Sequence, residues 1–175
     1  TYDVDASDTI GSIAGAGSID IAGSQILNVG GNNSSTSFTG VISGAGALTK
    51  SGSGTLTLSG TSTFTGATAI TAGKVAISSN AALGATNGAT TVSSGAALSI
   101  SGSITVAEPI TISGTGVSSG GAIVFTGGDN TYSGAITLGA TSTIVSTGGA
   151  QTISGTVNAG NGLTITSNSN LTISG

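Results

Sequence analysis

The sequence predicts an all-β protein built as a stack of short, self-similar coils. Three observations carry that expectation. Apolar residues recur two apart along nearly the whole chain, Gly-containing turns separate these pairs every six to ten residues, and one aromatic pentapeptide recurs. Alternation with period two gives a strand one buried face, and repeated short strands that cannot each bury that face alone must bury it against one another.

The pairs run in order through Ile19/Ile21, Leu27/Val29, Leu56/Leu58, Val75/Ile77, Leu98/Ile100, Ile104/Val106, Ile110/Ile112, Ile136/Leu138, Leu163/Ile165 and Leu171/Ile173. Small polar residues lie between them, and β-branched Thr, Val and Ile fill the strands. The stretches "SGAG", "TGGDN" and "NAGNG" supply turns, where Gly, Asn and Asp reach conformations other residues avoid. Pro109, the only proline, follows Glu108 where the chain passes between two strands, which suits a turn or strand edge. No segment has helical spacing.

Self-similarity sharpens the picture. "TSFTG" (36–40), "STFTG" (62–66) and "NTYSG" (130–134) share one template, with Phe38, Phe64 and Tyr132 at its centre and Gly40, Gly66 and Gly134 at its end. These six residues define the repeat. "GTLTLSGTSTFTGATAI" from Gly54 aligns with "GAIVFTGGDNTYSGAITL" from Gly121 once one residue near Asp129 is treated as an insertion. In a stack, coils of about twenty residues rise ~4.8 Å each, so about eight of them make a rod on the order of 40 Å long.

Composition excludes several functions. Charged residues make up 5% and aromatics 3%, Gly numbers 32, and Ser plus Thr account for about a third. A mean hydropathy of +0.42 with a net charge of −4 argues against disorder, which goes with low hydropathy and high charge. With no His, Cys, Met, Trp or Arg, the chain lacks thiol nucleophiles, the usual general base, soft metal ligands and the guanidinium fork that grips phosphate. Lys50 and Lys74 make no basic patch, so nucleic acid is not expected as a partner. The longest apolar runs, such as "AIVF" at 122–125, are far too short to span a membrane, so this segment is not expected to insert into one. No basic, apolar leader opens the chain at Thr1, and the sequence reads as a segment cut from a larger protein.

"FTGVISGAGALTKSGSGTLTLSGTSTFTGATAITAGKVAIS", residues 38–78, resembles the autotransporter-associated β-strand repeat of passenger regions in large bacterial surface proteins. The likeness recurs more loosely over 120–138 and fades into generic "LTISG" pieces toward both ends. It implies a right-handed parallel β-solenoid, or β-helix, export across the outer membrane, and display at the cell surface, with no catalytic residues and no cofactor. It also implies that residues 1–175 form a single solenoid segment of a larger exported protein. Two departures stand out: no translocator barrel follows Gly175, and "GKVAIS" at Gly73 replaces the usual "GTL" triplet.

Several sharper readings compete. Glu108 and Asp129 lie twenty-one residues apart, close to one coil, where two carboxylates could serve glycoside hydrolysis. Without Arg, His or a third carboxylate, a solvated surface pair is the expectation. Asp3, Asp5 and Asp8 in "DVDASD" resemble a calcium ladder, but the glycine-rich nonapeptide of calcium-binding β-rolls is missing. Asn32, Asn33 and Asn170 begin N-x-Ser/Thr sequons, a common pattern in such a chain. Phe38, Phe64 and Tyr132 are expected inside, since an exposed aromatic track would mark a glycan-binding surface.

Three function classes follow. The first is a structural extracellular rod, the passenger or stalk of an adhesin or a fibre-forming protein. Its partners would be neighbouring coils or identical copies end to end, and host or environmental surfaces. The second is a ligand-binding solenoid with a glycan- or ice-binding face, suggested by Thr-x-Thr at 55/57, 63/65, 141/143 and 164/166. The third is a polysaccharide-cleaving β-helix enzyme, which would want clustered carboxylates.

Overall fold

The alternating segments form strands that pair in parallel throughout, as consecutive turns of one solenoid must. The computed structural model describes residues 1–175 as eight coils with a ninth begun. Coil 1 carries β1 (Tyr2–Val4) and β2 (Asp8–Ile10) and reaches the third face only through the bridge of Gly15 to Phe38. Coil 2 holds β3 (Ser18–Ile21), β4 (Ile26–Val29) and β5 (Thr36–Phe38), and coil 3 holds β6 (Val41–Gly44), β7 (Ala47–Lys50) and β8 (Thr55–Leu58). Coils 4 and 5 open with residues 62–65 and 81–85 and continue into β9 (Thr68–Ile70), β10 (Lys74–Ile77), β11 (Thr90–Val92) and β12 (Ala97–Ser101).

Coil 6 holds β13 (Thr105–Val106), β14 (Ile110–Gly114) and β15 (Ile123–Gly127). In coil 7, β16 (Thr131–Tyr132) precedes the eleven-residue β17 (Ile136–Ser146), which turns the corner and serves two faces. β18 (Gln151–Ile153), β19 (Val157–Asn158) and β20 (Leu163–Ser167) complete coil 8, and β21 (Leu171–Ile173) starts the next. Coil 6 is the longest because residues 115–120 leave the second face and return at a Gly116–Gly121 bridge. That excursion contains a short 3-10 turn, Val117–Ser119, with Ser118 and Ser119 at positive φ.

Three faces result. The first stacks β1, β3 and β6, and later β13, β16, β18 and β21. Between these groups Thr63 N–H donates to Ile42 O at 2.8 Å and Ala85 N–H to Phe64 O at 2.8 Å, which joins coils 3, 4 and 5, while Thr105 N–H of coil 6 donates to the Asn80 side-chain oxygen at 3.0 Å. The second face runs β2, β4, β7, β9, β11, β14, β17 and β19, and the third runs β5, β8, β10, β12, β15, β17 and β20.

Because strands stack in register, inward residues form columns along the axis. Leu27, Leu48, Thr68, Thr90, Ile110, Ile136 and Val157 make one such column on the second face. Leu56, Val75, Leu98, Ile123, Ile144 and Ile165 make another on the third. The buried apolar members join one core cluster of 33 residues, so each coil supports the next. Each Leu or Ile sunk into such a column contributes about 1.5–3 kcal/mol of burial.

Candidate functional site

The positions that set this chain apart lie at the corners between faces, where backbone meets backbone. At the corner between the first and second faces, Gly66 stacks on Gly46, Gly88 on Gly66, Gly134 on Glu108, Gly155 on Gly134 and Gly175 on Gly155. A Cβ at Gly66 would lie 2.1 Å from Gly46 O, and one at Gly134 would lie 2.0 Å from Glu108 O. A side chain there would force the coils apart, so close stacking demands glycine in this column.

The repeat-defining residues divide between two corners. Phe64 and Tyr132 lie on the first face and lead into Gly66 and Gly134 of this column. Phe38 ends β5 on the third face, and Gly40 stacks on Gly17 at the corner leading back to the first. The pentapeptide therefore encodes a buried aromatic running into a tight glycine corner, used at two places in the coil. All three aromatics are interior: Phe64 and Tyr132 are 0% exposed and Phe38 is 4%. The Tyr132 hydroxyl donates to Glu108 O at 2.9 Å, and burial, aided by the Glu108 carboxyl, pushes its pKa far up.

Glu108 departs from expectation. It occupies a place in the glycine column and is buried, 1% exposed, with Oε2 lacking any hydrogen-bond partner. Asp129 is exposed at a different corner, with its N–H donating to Ser103 Oγ and its Oδ1 accepting from Ala150 N–H. The two do not occupy equivalent positions, because the excursion lengthens coil 6 and spoils the one-coil arithmetic. The expected solvated pair is thus one interior and one surface carboxyl, without the facing geometry glycoside hydrolysis uses.

Lys50 is the second residue the sequence pattern understates. Register places it between Val29 and Ile70 on the inner side of the second face. Its ammonium donates to Ser51 O at 2.5 Å, Gly52 O at 2.8 Å and Ala72 O at 3.4 Å, tying together a corner of coils 3 and 4, while burial lowers its pKa. The alternation in "ALTK" was the available signal, since it puts Lys50 on the same side as Leu48. Farther along, Asn130 Nδ2 donates to Gln151 Oε1 at 2.9 Å and to Gly127 O at 2.8 Å, so a buried amide pair holds another corner.

The remaining candidates are surface features. Asp8 accepts from the Tyr2 hydroxyl and from Thr9 N–H, and no three acidic side chains converge anywhere to hold a metal ion. Asn32 and Asn33 brace their turn, with Asn33 Oδ1 accepting from Ser53 N–H at 2.9 Å, and Asn170 is exposed. Thr55/Thr57 and Thr164/Thr166 share the third face but are separated there by Lys74/Ala76, Ala97/Ser99, Ala122/Val124 and Thr143/Val145. A more regular row, invisible as Thr-x-Thr, runs outward on the second face through Thr9, Asn28, Thr49, Ala69, Thr91, Thr111, Thr137 and Asn158. One depression of about 350 Å³ lies at the amino-terminal end, lined among others by Tyr2, Ile10, Ile13, Ile19 and Phe38, where coil 1 lacks a third strand.

Parallel coils closed by glycine corners around an aliphatic interior define a β-solenoid. Residues 48–77 match the family model described as Passenger-associated-transport-repeat. The matched stretch spans β7 to β10 and includes Lys50 with its carbonyl ligands, Phe64 and Gly66. Over this stretch the chain therefore carries an autotransporter passenger-type repeat. No curated protein and no solved structure matches the chain.

Proposed function

We propose that this segment is an extracellular rod, the stalk or passenger portion of a bacterial surface adhesin or fibre, which carries a more distal binding part away from the cell. The observation that supports this reading is the parallel ladder of the second face, which runs without a break through all eight coils, with one apolar core along the stack. Such a stack gains length by repetition, at ~4.8 Å per coil. The link to passenger regions rests on the repeat at 48–77 and favours display outside the outer membrane.

A rod should tolerate a change of length. Excision of residues 61–80, one coil, joins Gly60 to Ala81 and should leave a folded protein shortened by ~4.8 Å. An unfolded product, or loss of a specific binding or cleaving activity on excision, would count against a spacer role.

End-to-end pairing of identical copies belongs to the same reading. In residues 1–175 the outermost strands are β20 and β21, where Ile165 and Ile173 are each 41% exposed, and β1 and β2, and it is these strands that would pair between copies. Unpaired edges template further strands.

A second reading is favoured by the outward row on the second face, which sets one small, mostly hydroxyl-bearing residue per coil in register. Such a row could lie against an ordered lattice such as ice or a crystalline glycan. Thermal hysteresis, or binding to insoluble polysaccharide abolished by Thr111→Lys, would support it. Neither is expected of a plain spacer.

A further inference from the structure

The corner column between the first and second faces is glycine at Gly46, Gly66, Gly88, Gly134, Gly155 and Gly175, and Glu108 alone interrupts it. A glutamate is a costly choice for this place. An ionised carboxylate removed from water needs a counter-charge or several donors, and Glu108 has neither. Its Oε2 is buried without a partner. The Tyr132 hydroxyl, packed from coil 7, is spent on the Glu108 backbone oxygen rather than on the carboxyl.

The surroundings offer no relief. Coil 5, on which this corner rests, contains no titratable residue between 81 and 101. Coils 6 and 7 add only Asp129, exposed at another corner, and Tyr132. Both lysines lie lower in the stack, Lys50 in coil 3 and Lys74 in coil 4. A proton on Glu108 removes the charge that the site cannot solvate. Ionisation instead calls for water at Oε2, which the closed corner buries, so hydrating that oxygen requires the corner to part from its neighbours.

We propose that the Glu108 corner is an acid-closed seam: coils 6 and 7 lock onto the stack when Glu108 is protonated and breathe open at that corner when it ionises. The bonds that hold the seam are Thr90 N–H to Pro109 O at 2.9 Å, Ile110 N–H to Ala135 O at 2.8 Å and Ser133 N–H to Val106 O at 2.8 Å. Burial raises the Glu108 pKa above its ordinary 4.5, and its own backbone amide only partly offsets that. A group raised on folding stabilises the closed form fully below the ordinary value, and that stability drains away as pH rises toward the folded value. One proton is linked to opening, so the opening constant should rise up to about tenfold per pH unit in that window and then level off.

Amide hydrogen exchange between pH 4 and 8, corrected for the intrinsic rate at each pH, tests the seam directly. Protection at Thr90, Ile110 and Ser133 should fall with rising pH in the wild-type chain, by up to about tenfold per pH unit between the ordinary and the raised value. Protection at Ser51 and Thr63, far down the stack, should not. Glu108→Gln keeps the shape without the charge and should flatten the profile at the seam. A flat wild-type profile at the three seam amides would overturn the proposal, and so would an equal slope at Ser51 and Thr63. An unchanged slope in Glu108→Gln would overturn it as well. The wild-type profile decides even if the variant folds poorly.

Discussion

Gly66→Ala measures how tightly the coils close at their corners. The added Cβ would sit 2.1 Å from Gly46 O and 2.4 Å from Gly46 C, whereas real Cβ atoms essentially never come under 3.0 Å. Both opposing atoms are backbone, so no side chain can rotate away. Coil 4 must lift from coil 3 at that corner by about 1 Å to regain ordinary contact. The lift strains Thr65 N–H to Gly44 O and Leu48 N–H to Ala67 O, both at 3.0 Å, and loosens the packing of Phe64. Two backbone bonds at about 1 kcal/mol each, with some lost dispersion, give a cost of about 2–4 kcal/mol. Reduced unfolded-state entropy returns only about 0.4–1 kcal/mol of it. Urea denaturation reads the difference, with Gly31→Ala as the control, since Gly31 is exposed and a Cβ there meets nothing within 4 Å. The control should shift stability by no more than about 0.5 kcal/mol. Equal midpoints for the two variants would refute the account of the corner column.

Phe64→Ala should cost about 3–5 kcal/mol by emptying a fully buried site, while Thr65→Ala on the exposed side should change stability by about 0.5 kcal/mol or less; calorimetry on the pair would expose an outward aromatic as similar, small effects. Both tyrosines should ionise above the ordinary pH 10.0 in the folded chain, Tyr2 because its hydroxyl is hydrogen-bonded to Asp8 and Tyr132 because it is buried. The stability tied to these neutral phenols is full below pH 10.0 and lost as pH climbs through the raised values. An alkaline absorbance titration with a transition at or below pH 10 before unfolding would contradict this. Sedimentation should detect concentration-dependent association that weakens in Ile173→Pro, since proline removes a ladder donor from β21; a strict monomer over a hundredfold concentration range would show that the ends do not pair.

Much of the fold was legible because period-two alternation reports directly which side of a strand is buried. The pairs from Ile19/Ile21 to Leu171/Ile173 fall in or beside strands, and Phe38, Phe64 and Tyr132, expected inside because an exposed aromatic track would mark a glycan-binding surface, are buried. Less legible was the assignment of strands to faces. Corner geometry depends on which backbone lies one coil below, and nothing local in "TSFTG" distinguishes its corner from that of "STFTG". The excursion at 115–120 hid for the same reason, and with it the separation of Glu108 from Asp129. Lys50 and Glu108 were misleading as single residues. A charge in a polar chain suggests the surface, and only the neighbouring alternation in "ALTK" and the surrounding corner glycines indicate otherwise. The outward row on the second face was hidden because its members are one coil apart rather than two residues apart.

The central claim is that sequence is converted into length at a fixed rise per coil, and distances along the second face test it most directly. The outward row supplies the sites, and the chain has no native cysteine to interfere. Spin labels placed on cysteines at Thr49 and, in turn, Thr111, Thr137 and Asn158 stand three, four and five coils apart. Pulsed dipolar spectroscopy should give separations of about 14, 19 and 24 Å, with equal steps of ~4.8 Å despite the unequal numbers of residues between the sites. Separations that do not increase by equal steps per coil, or broad distributions without a defined distance, would contradict the solenoid and the rod built on it.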